Sequence, residues 1–126
     1  MNPVKAILLS LLVLGLVCSF AFAAHHTPEE RGKTLFNDPK SFGGSTACSS
    51  CHPDGRGLEK AGMMGKTAWV TPAGTYKSLE EAINICITMA NKGKAIETKS
   101  GEMKDMVAYI KSLGMKEMHH EMPMKK

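Results

Sequence analysis

The pentapeptide Cys48-Ser49-Ser50-Cys51-His52 constrains this chain more than any other stretch. Cys-x-x-Cys-His is the spacing at which two thiols add to the two vinyl groups of a haem while the next imidazole reaches the iron. One turn of irregular helix brings both sulfurs under the same porphyrin edge, and the covalent tether then holds His52 at bonding distance. Two blander uses of the same residues are an isolated Cys-x-x-Cys redox pair and half of a zinc site. A zinc site needs a second Cys or His pair at fixed spacing, and the chain has none. One covalent haem c is therefore expected, with Cys48, Cys51 and His52 as its binding residues and His52 as the proximal iron ligand.

The N-terminus agrees with the compartment in which such a group is attached. Lys5 supplies a positive start, Ala6 to Val17 an apolar run, and Ala21-Phe22-Ala23 a small-x-small cleavage site. Residues 1–23 read as a signal peptide cut before Ala24. Cys18 invites a lipid anchor, but the preceding Val17 is β-branched where a lipobox takes a small residue. The run is also short for a bilayer span. The expected location is periplasmic or otherwise exported, without stable membrane insertion after cleavage, where free thiols oxidise.

Removing 23 of 126 residues leaves 103, enough for one domain with a small core. The formal charge of +4 falls to +3 without Lys5, and two haem propionates would bring it to about +1. The lysines are dispersed rather than gathered in a basic stripe, which argues against nucleic acid. A monomer is expected.

Along the mature chain, Thr27-Pro28-Glu29-Glu30 writes a helix start with an N-cap, a proline at the first position and a capping box. The helix should end near Asn37-Asp38-Pro39. Ser41 to Ser45 reads as a flexible approach to the haem motif. From Pro53 to Gly74 the composition is that of a long loop, not of alternating strands, and a haem edge would give it something to wrap. Trp69 can cover that edge, hydrogen-bond a propionate, or serve as an ordinary buried aromatic. Ser78-Leu79-Glu80-Glu81 opens a second helix with Leu79, Ala82, Ile83, Cys86 and Ala90 on one face, ending at Gly93. Ser100 caps a last helix with Met103, Met106, Val107, Ile110 and Leu113 in one stripe, closed by Gly114. The resulting division is a signal peptide over 1–23, one domain over 24–114, and a flexible Met/His/Lys tail over 115–126.

This layout resembles the class I cytochrome c fold across residues 27–114. The resemblance implies an all-α domain in which N-terminal, third and C-terminal helices pack around one haem. In that family a glycine and an aromatic of the first helix pack against an aromatic of the last, and Gly32, Phe36 and Tyr109 match those places. The family usually takes its sixth iron ligand from a Met in the loop before the last helix, but the loop Asn91 to Ser100 contains none. The segment Ile83 to Lys94 instead resembles haem domains of thiosulfate dehydrogenases and related sulfur-oxidising cytochromes, in which a Cys on this helix ligates the iron. The Arg common just after that Cys is absent here.

Cysteine arithmetic also points to Cys86. Four cysteines less Cys18 leave three, and the haem consumes two, which strands one thiol in an oxidising compartment. A buried thiol can equally be a small hydrophobe on an apolar stripe. As an iron ligand a thiolate would lower the reduction potential, whereas a thioether would raise it. The distal candidates are ordered Cys86, then Met89, with Met63, Met64 and His25 behind them. Met103 and Met106 read as core. Separately, cleavage before Ala24 would expose Ala-His-His, and the tail carries Met115, Met118, His119, His120, Met122 and Met124; both are donor sets suited to copper.

The expected function is a periplasmic monohaem electron carrier that docks weakly with redox partner proteins. No acid, base or nucleophile constellation marks an enzyme. The alternative is a haem enzyme or haem subunit acting on reduced sulfur compounds such as thiosulfate. A metal-binding or redox-sensing module is the third reading.

Overall fold

The computed structural model describes residues 26–121. The expected signal peptide with Cys18, the Ala24-His25 terminus expected after cleavage, and Met122 and Met124 lie outside those residues. Among those residues, four α-helices and one two-stranded ribbon follow in chain order: α1 Pro28–Asn37, α2 Glu59–Gly62, β1 Trp69–Thr71, β2 Gly74–Tyr76, α3 Leu79–Met89 and α4 Gly101–Glu121. Short 3-10 turns at Cys48–Ser50 and Pro53–Gly55 occupy the space between α1 and α2. Among the described residues, no helix is long and apolar enough to cross a membrane.

The helix starts follow local chemistry. Thr27 accepts from the Glu30 N–H at 3.2 Å while Glu30 accepts from the Thr27 N–H at 2.9 Å, so both halves of the capping box form. At α3 the Ser78 hydroxyl accepts from the Glu81 N–H, and at α4 the Ser100 hydroxyl accepts from the Met103 N–H. α1 stops at Asn37 with Asp38 as its C-cap, directly before Pro39.

The core forms where α1 crosses α4. A Cβ on Gly32 would stand 2.0 Å from the Asp105 carbonyl oxygen and 2.8 Å from the Tyr109 Cβ, so only glycine admits this approach. The closeness lets Phe36 and Tyr109 meet with ring centroids 5.1 Å apart at 60°, an edge-tilted geometry that aromatic pairs favour. Met103, Met106, Ile110 and Leu113 bury the stripe expected of α4, and Leu79, Ala82, Ile83 and Ile87 bury the facing stripe of α3. Ala90, expected to extend that stripe, is exposed because α3 has ended at Met89 and the apolar face closes on Ile87. Across the α1–α4 crossing, the Arg31 guanidinium donates to both Asp105 carboxylate oxygens at 2.8 and 2.7 Å.

Three further expectations are corrected. The domain is mostly helical, not all-α, because Trp69–Thr71 pairs antiparallel with Gly74–Tyr76 in the segment expected to be loop. The turn rests on Thr71, whose hydroxyl donates to the Gly74 carbonyl and accepts from the Ala73 N–H. A run of three residues is too short to show alternation, which is why the sequence pattern missed it. The approach to the haem motif is clamped: Phe42 is buried, its carbonyl accepts from the Lys94 N–H at 2.8 Å, and the Ser45 N–H donates to the Asn91 carbonyl at 3.0 Å. Gly114 does not close α4, which continues to Glu121. Its missing side chain serves packing instead, since a Cβ there would lie 2.6 Å from the Gly62 carbonyl carbon and 2.8 Å from the Met63 nitrogen.

Gly32→Ala is expected to destabilise the domain by about 1–3 kcal/mol, the usual cost of overpacking a rigid contact. Gly101→Ala, at a helical position with open space around it, should change stability by no more than about 0.5 kcal/mol. Thermal or urea unfolding of the two variants beside the parent protein checks both; equal midpoints for the two would contradict the crossing described.

Candidate haem-binding site

The Cys-x-x-Cys-His segment is a single tight turn. The Cys48 carbonyl accepts from the Cys51 N–H at 3.2 Å and from the His52 N–H at 3.0 Å, which places all three side chains on one short arc. The chain then bends sharply through Asp54 and Gly55, at φ of 54° and 77°. Gly55 is required there for space as well, because a Cβ would stand 2.3 Å from a Leu113 methyl group of α4. The motif is thereby seated on the last helix.

His52 is oriented by its own loop. Its Nδ1 lies 3.0 Å from the Arg56 carbonyl oxygen, which can only accept, so Nδ1 carries the proton and Nε2 keeps its lone pair. That is the arrangement a metal-binding imidazole needs: one nitrogen held by a carbonyl, the other free to ligate. Cys48 is held from the far side. Asn91, buried just past the end of α3, donates its amide to the Cys48 sulfur at 3.1 Å. Asn91 also donates its N–H to the Cys86 carbonyl and accepts from Ser45, joining three segments at one residue.

Between α1, α3, α4 and the ribbon lies a cavity of about 320 Å³. Its walls are mainly apolar, from Phe36, Leu58, Trp69, Leu79, Ile83 and Ile110, and Cys48, His52 and Cys86 all open onto it. Volume and lining suit a large, flat, apolar group entered by a few polar donors. Trp69 lines the cavity while its indole N–H donates to the Ala61 carbonyl at 3.0 Å, so the ring serves as a wall and its donor is already used. Lys60 and Lys66 stand at the cavity as its cations.

The expected site residues distribute unevenly. Cys48, His52 and Cys86 come together, whereas Cys51, on the exposed side of the turn, is not among the lining residues. Met89 is 56% exposed and outside the cavity, because α3 ends there after its apolar face has closed on Ile87. Met63 and Met64 are also exposed and away from it, while Met106, read as core, is buried and touches it. Burial pushes the Cys86 thiol above its ordinary pKa, and charge on the nearby Cys48 and Cys51 would push it the same way. Burial likewise raises the Cys48 thiol, partly offset by the Asn91 hydrogen bond.

Sequence reading missed Asn91 and the two lysines. An asparagine after a helix ordinarily signals only a cap or turn, and the lysines reach one cavity only because α2 packs on α4 while the ribbon that follows packs on α3. Asn84 was missed for the same reason: its amide donates to the Ile96 carbonyl at 2.8 Å and accepts from the Ile96 N–H at 2.9 Å, fixing the return of the chain after α3.

Comparison with known proteins gives one family. A family model described as the SoxA/TsdA cytochrome c domain matches residues 31–118, more than half of the chain. No curated protein and no solved structure gives a significant match. The matched span holds the two thiols, the carbonyl-held imidazole and the apolar cavity, and these fit a covalent haem. The chain belongs to the SoxA/TsdA cytochrome c domain family, and is a class I c-type cytochrome whose cofactor is covalently bound haem c.

Proposed function

We propose that the protein is an exported, single-haem electron carrier in which Cys48 and Cys51 hold the porphyrin by thioethers, His52 binds the iron through Nε2, and Cys86 is the distal ligand. The observation that carries the reading is the convergence of Cys48, His52 and Cys86 on one apolar cavity, with the His52 tautomer set by Arg56. Haem supplies a one-electron redox couple when bound.

The chain's own groups do the rest. Trp69, Leu58 and Ile83 give the cavity apolar walls, which disfavour water against a bound group and lower the effective dielectric there. Asn91 positions Cys48, and the clamp of residues 42–45 against 91–94 holds the motif and α3 at a fixed separation. Lys60 and Lys66 offer positive charge at the rim, which suits carboxylates of the cofactor and weak, fast docking with partner proteins. A thiolate from Cys86 would place negative charge beside the iron and favour its oxidised form. Export rests on the signal-like residues 1–23.

A second reading has its own support. The matched family and the cavity-facing Cys86 favour action on reduced sulfur compounds such as thiosulfate, either alone or as a haem subunit. The residue following Cys86 is Ile87, fully buried, where the resemblance expects an arginine, so an anion would have to be met by Lys60 and Lys66. Thiosulfate or sulfide that reduces the haem with turnover supports this reading, and inertness toward both leaves the carrier.

Expressed with haem-attachment machinery, the protein should stain for haem after denaturing electrophoresis, and the double variant Cys48→Ala/Cys51→Ala should lose the stain. A colourless mature protein would overturn the proposal. Cys86→Met should move the reduction potential upward and change the oxidised absorption spectrum, whereas Met89→Leu should leave both within error. A potentiometric titration followed by absorbance decides between them.

A further inference from the structure

Among the described residues, four of the five large apolar side chains that stand exposed are methionines, and three of these, Met63, Met64 and Met115, lie where α2 meets the C-terminal half of α4. The core explains none of them. Gly62 and Gly114 bring the two backbones into contact at that junction: a Cβ on Gly62 would lie 2.0 Å from the Ile110 carbonyl oxygen, and a Cβ on Gly114 2.8 Å from the Met63 nitrogen. Met63 is therefore seated against α4 at the level of Gly114.

α4 then continues for seven residues past Gly114. Met115, Met118 and His119 fall at i, i+3 and i+4, one stripe on the helix surface. Cα–Cβ bonds on a helix tilt toward its N-terminus, so Met118 covers the turn at 114–115, where Met63 arrives, and His119 leans toward Met115. Unbranched methionine side chains with three rotatable bonds can converge from the two backbones. Met118 is partly buried, and His119 is exposed.

The donor set selects the ion. Thioethers are soft and uncharged, and with one imidazole they suit Cu(I) rather than harder divalent ions. Among the described residues, no group of three or more His, Cys, Asp or Glu gathers to hold a metal. Lys111 and Lys116 beside the stripe further disfavour a divalent cation.

We propose that Met63, Met115, Met118 and His119 form a Cu(I) site at the α2–α4 junction, with Met64 as an additional thioether, separate from the haem cavity. None of these residues lines that cavity. Only binding is proposed, and it does not depend on which residue ligates iron.

The test is an anaerobic titration of the haem-loaded full chain with Cu(I) against a coloured Cu(I) chelator. One equivalent should be retained by the protein. Met115→Leu/Met118→Leu and Met63→Leu/Met64→Leu should each weaken retention by about tenfold or more, as should His119→Ala. No retained copper, or unchanged affinity in the Met63→Leu/Met64→Leu variant, would overturn the junction site. Zn(II) competing at the same site with equal strength would overturn the soft-ion assignment. Should a variant fold poorly, X-ray absorption of the copper-loaded parent protein still decides: sulfur neighbours are expected, and a shell of nitrogen and oxygen alone refutes the site.

Discussion

The contact on which the rest of the structure depends is the approach of α1 to α4 at Gly32. With the Asp105 carbonyl where a side chain would otherwise begin, the two helices touch backbone to backbone, and the larger residues one turn away close around the contact. Phe36 meets Tyr109, and Arg31 forks onto Asp105 from the solvent side. Phe36, Met106 and Ile110, aligned by the same crossing, form one wall of the cavity. A wider separation would leave that wall in two pieces and expose side chains whose burial is the main source of stability in so small a domain.

The opposite wall is set by hydrogen bonds more than by packing. The chain entering the motif lies against the chain leaving α3, with Phe42 bonded to Lys94 and Ser45 to Asn91. Gly44 makes that possible, since a Cβ would stand 2.3 Å from the Asn91 carbonyl oxygen. Asn91 is the joint. Its side chain reaches Cys48, its N–H the carbonyl of Cys86, and its carbonyl the Ser45 N–H. Residues 48 and 86, far apart in the chain, thereby acquire a fixed relation across the cavity. A buried asparagine with these partners satisfied is stable, and one deprived of them would be costly, so the joint is also specific.

Carrier and sulfur chemistry draw on the same frame and differ in what reaches the cavity. An apolar lining with an imidazole held by a backbone carbonyl suits reversible electron exchange with little rearrangement, while the rim lysines would serve a partner's acidic surface or a small anion equally well. The place held by Ile87 weighs toward the carrier, because a fully buried isoleucine offers an anion nothing.

The sequence by itself determined what depends on neighbouring residues. The turn at Cys48–His52, the capped starts at Thr27, Ser78 and Ser100, and the apolar stripes of α3 and α4 were legible, because each is enforced by chemistry within a few residues. The partnership of Gly32, Phe36 and Tyr109 was legible only through family resemblance, since nothing local says which helices cross. Tertiary structure alone decided which thiol and which methionines face the cavity: Cys86 and Met89 are three residues apart in the sequence, yet only Cys86 lines the cavity. It also decided what each glycine is for. Gly114 looks like a helix stop in the sequence, but with α2 packed against it the missing Cβ is a requirement of contact, and the helix continues to Glu121. Periodicity reports which side of an element is apolar, and only the packing of distant segments determines what that side meets.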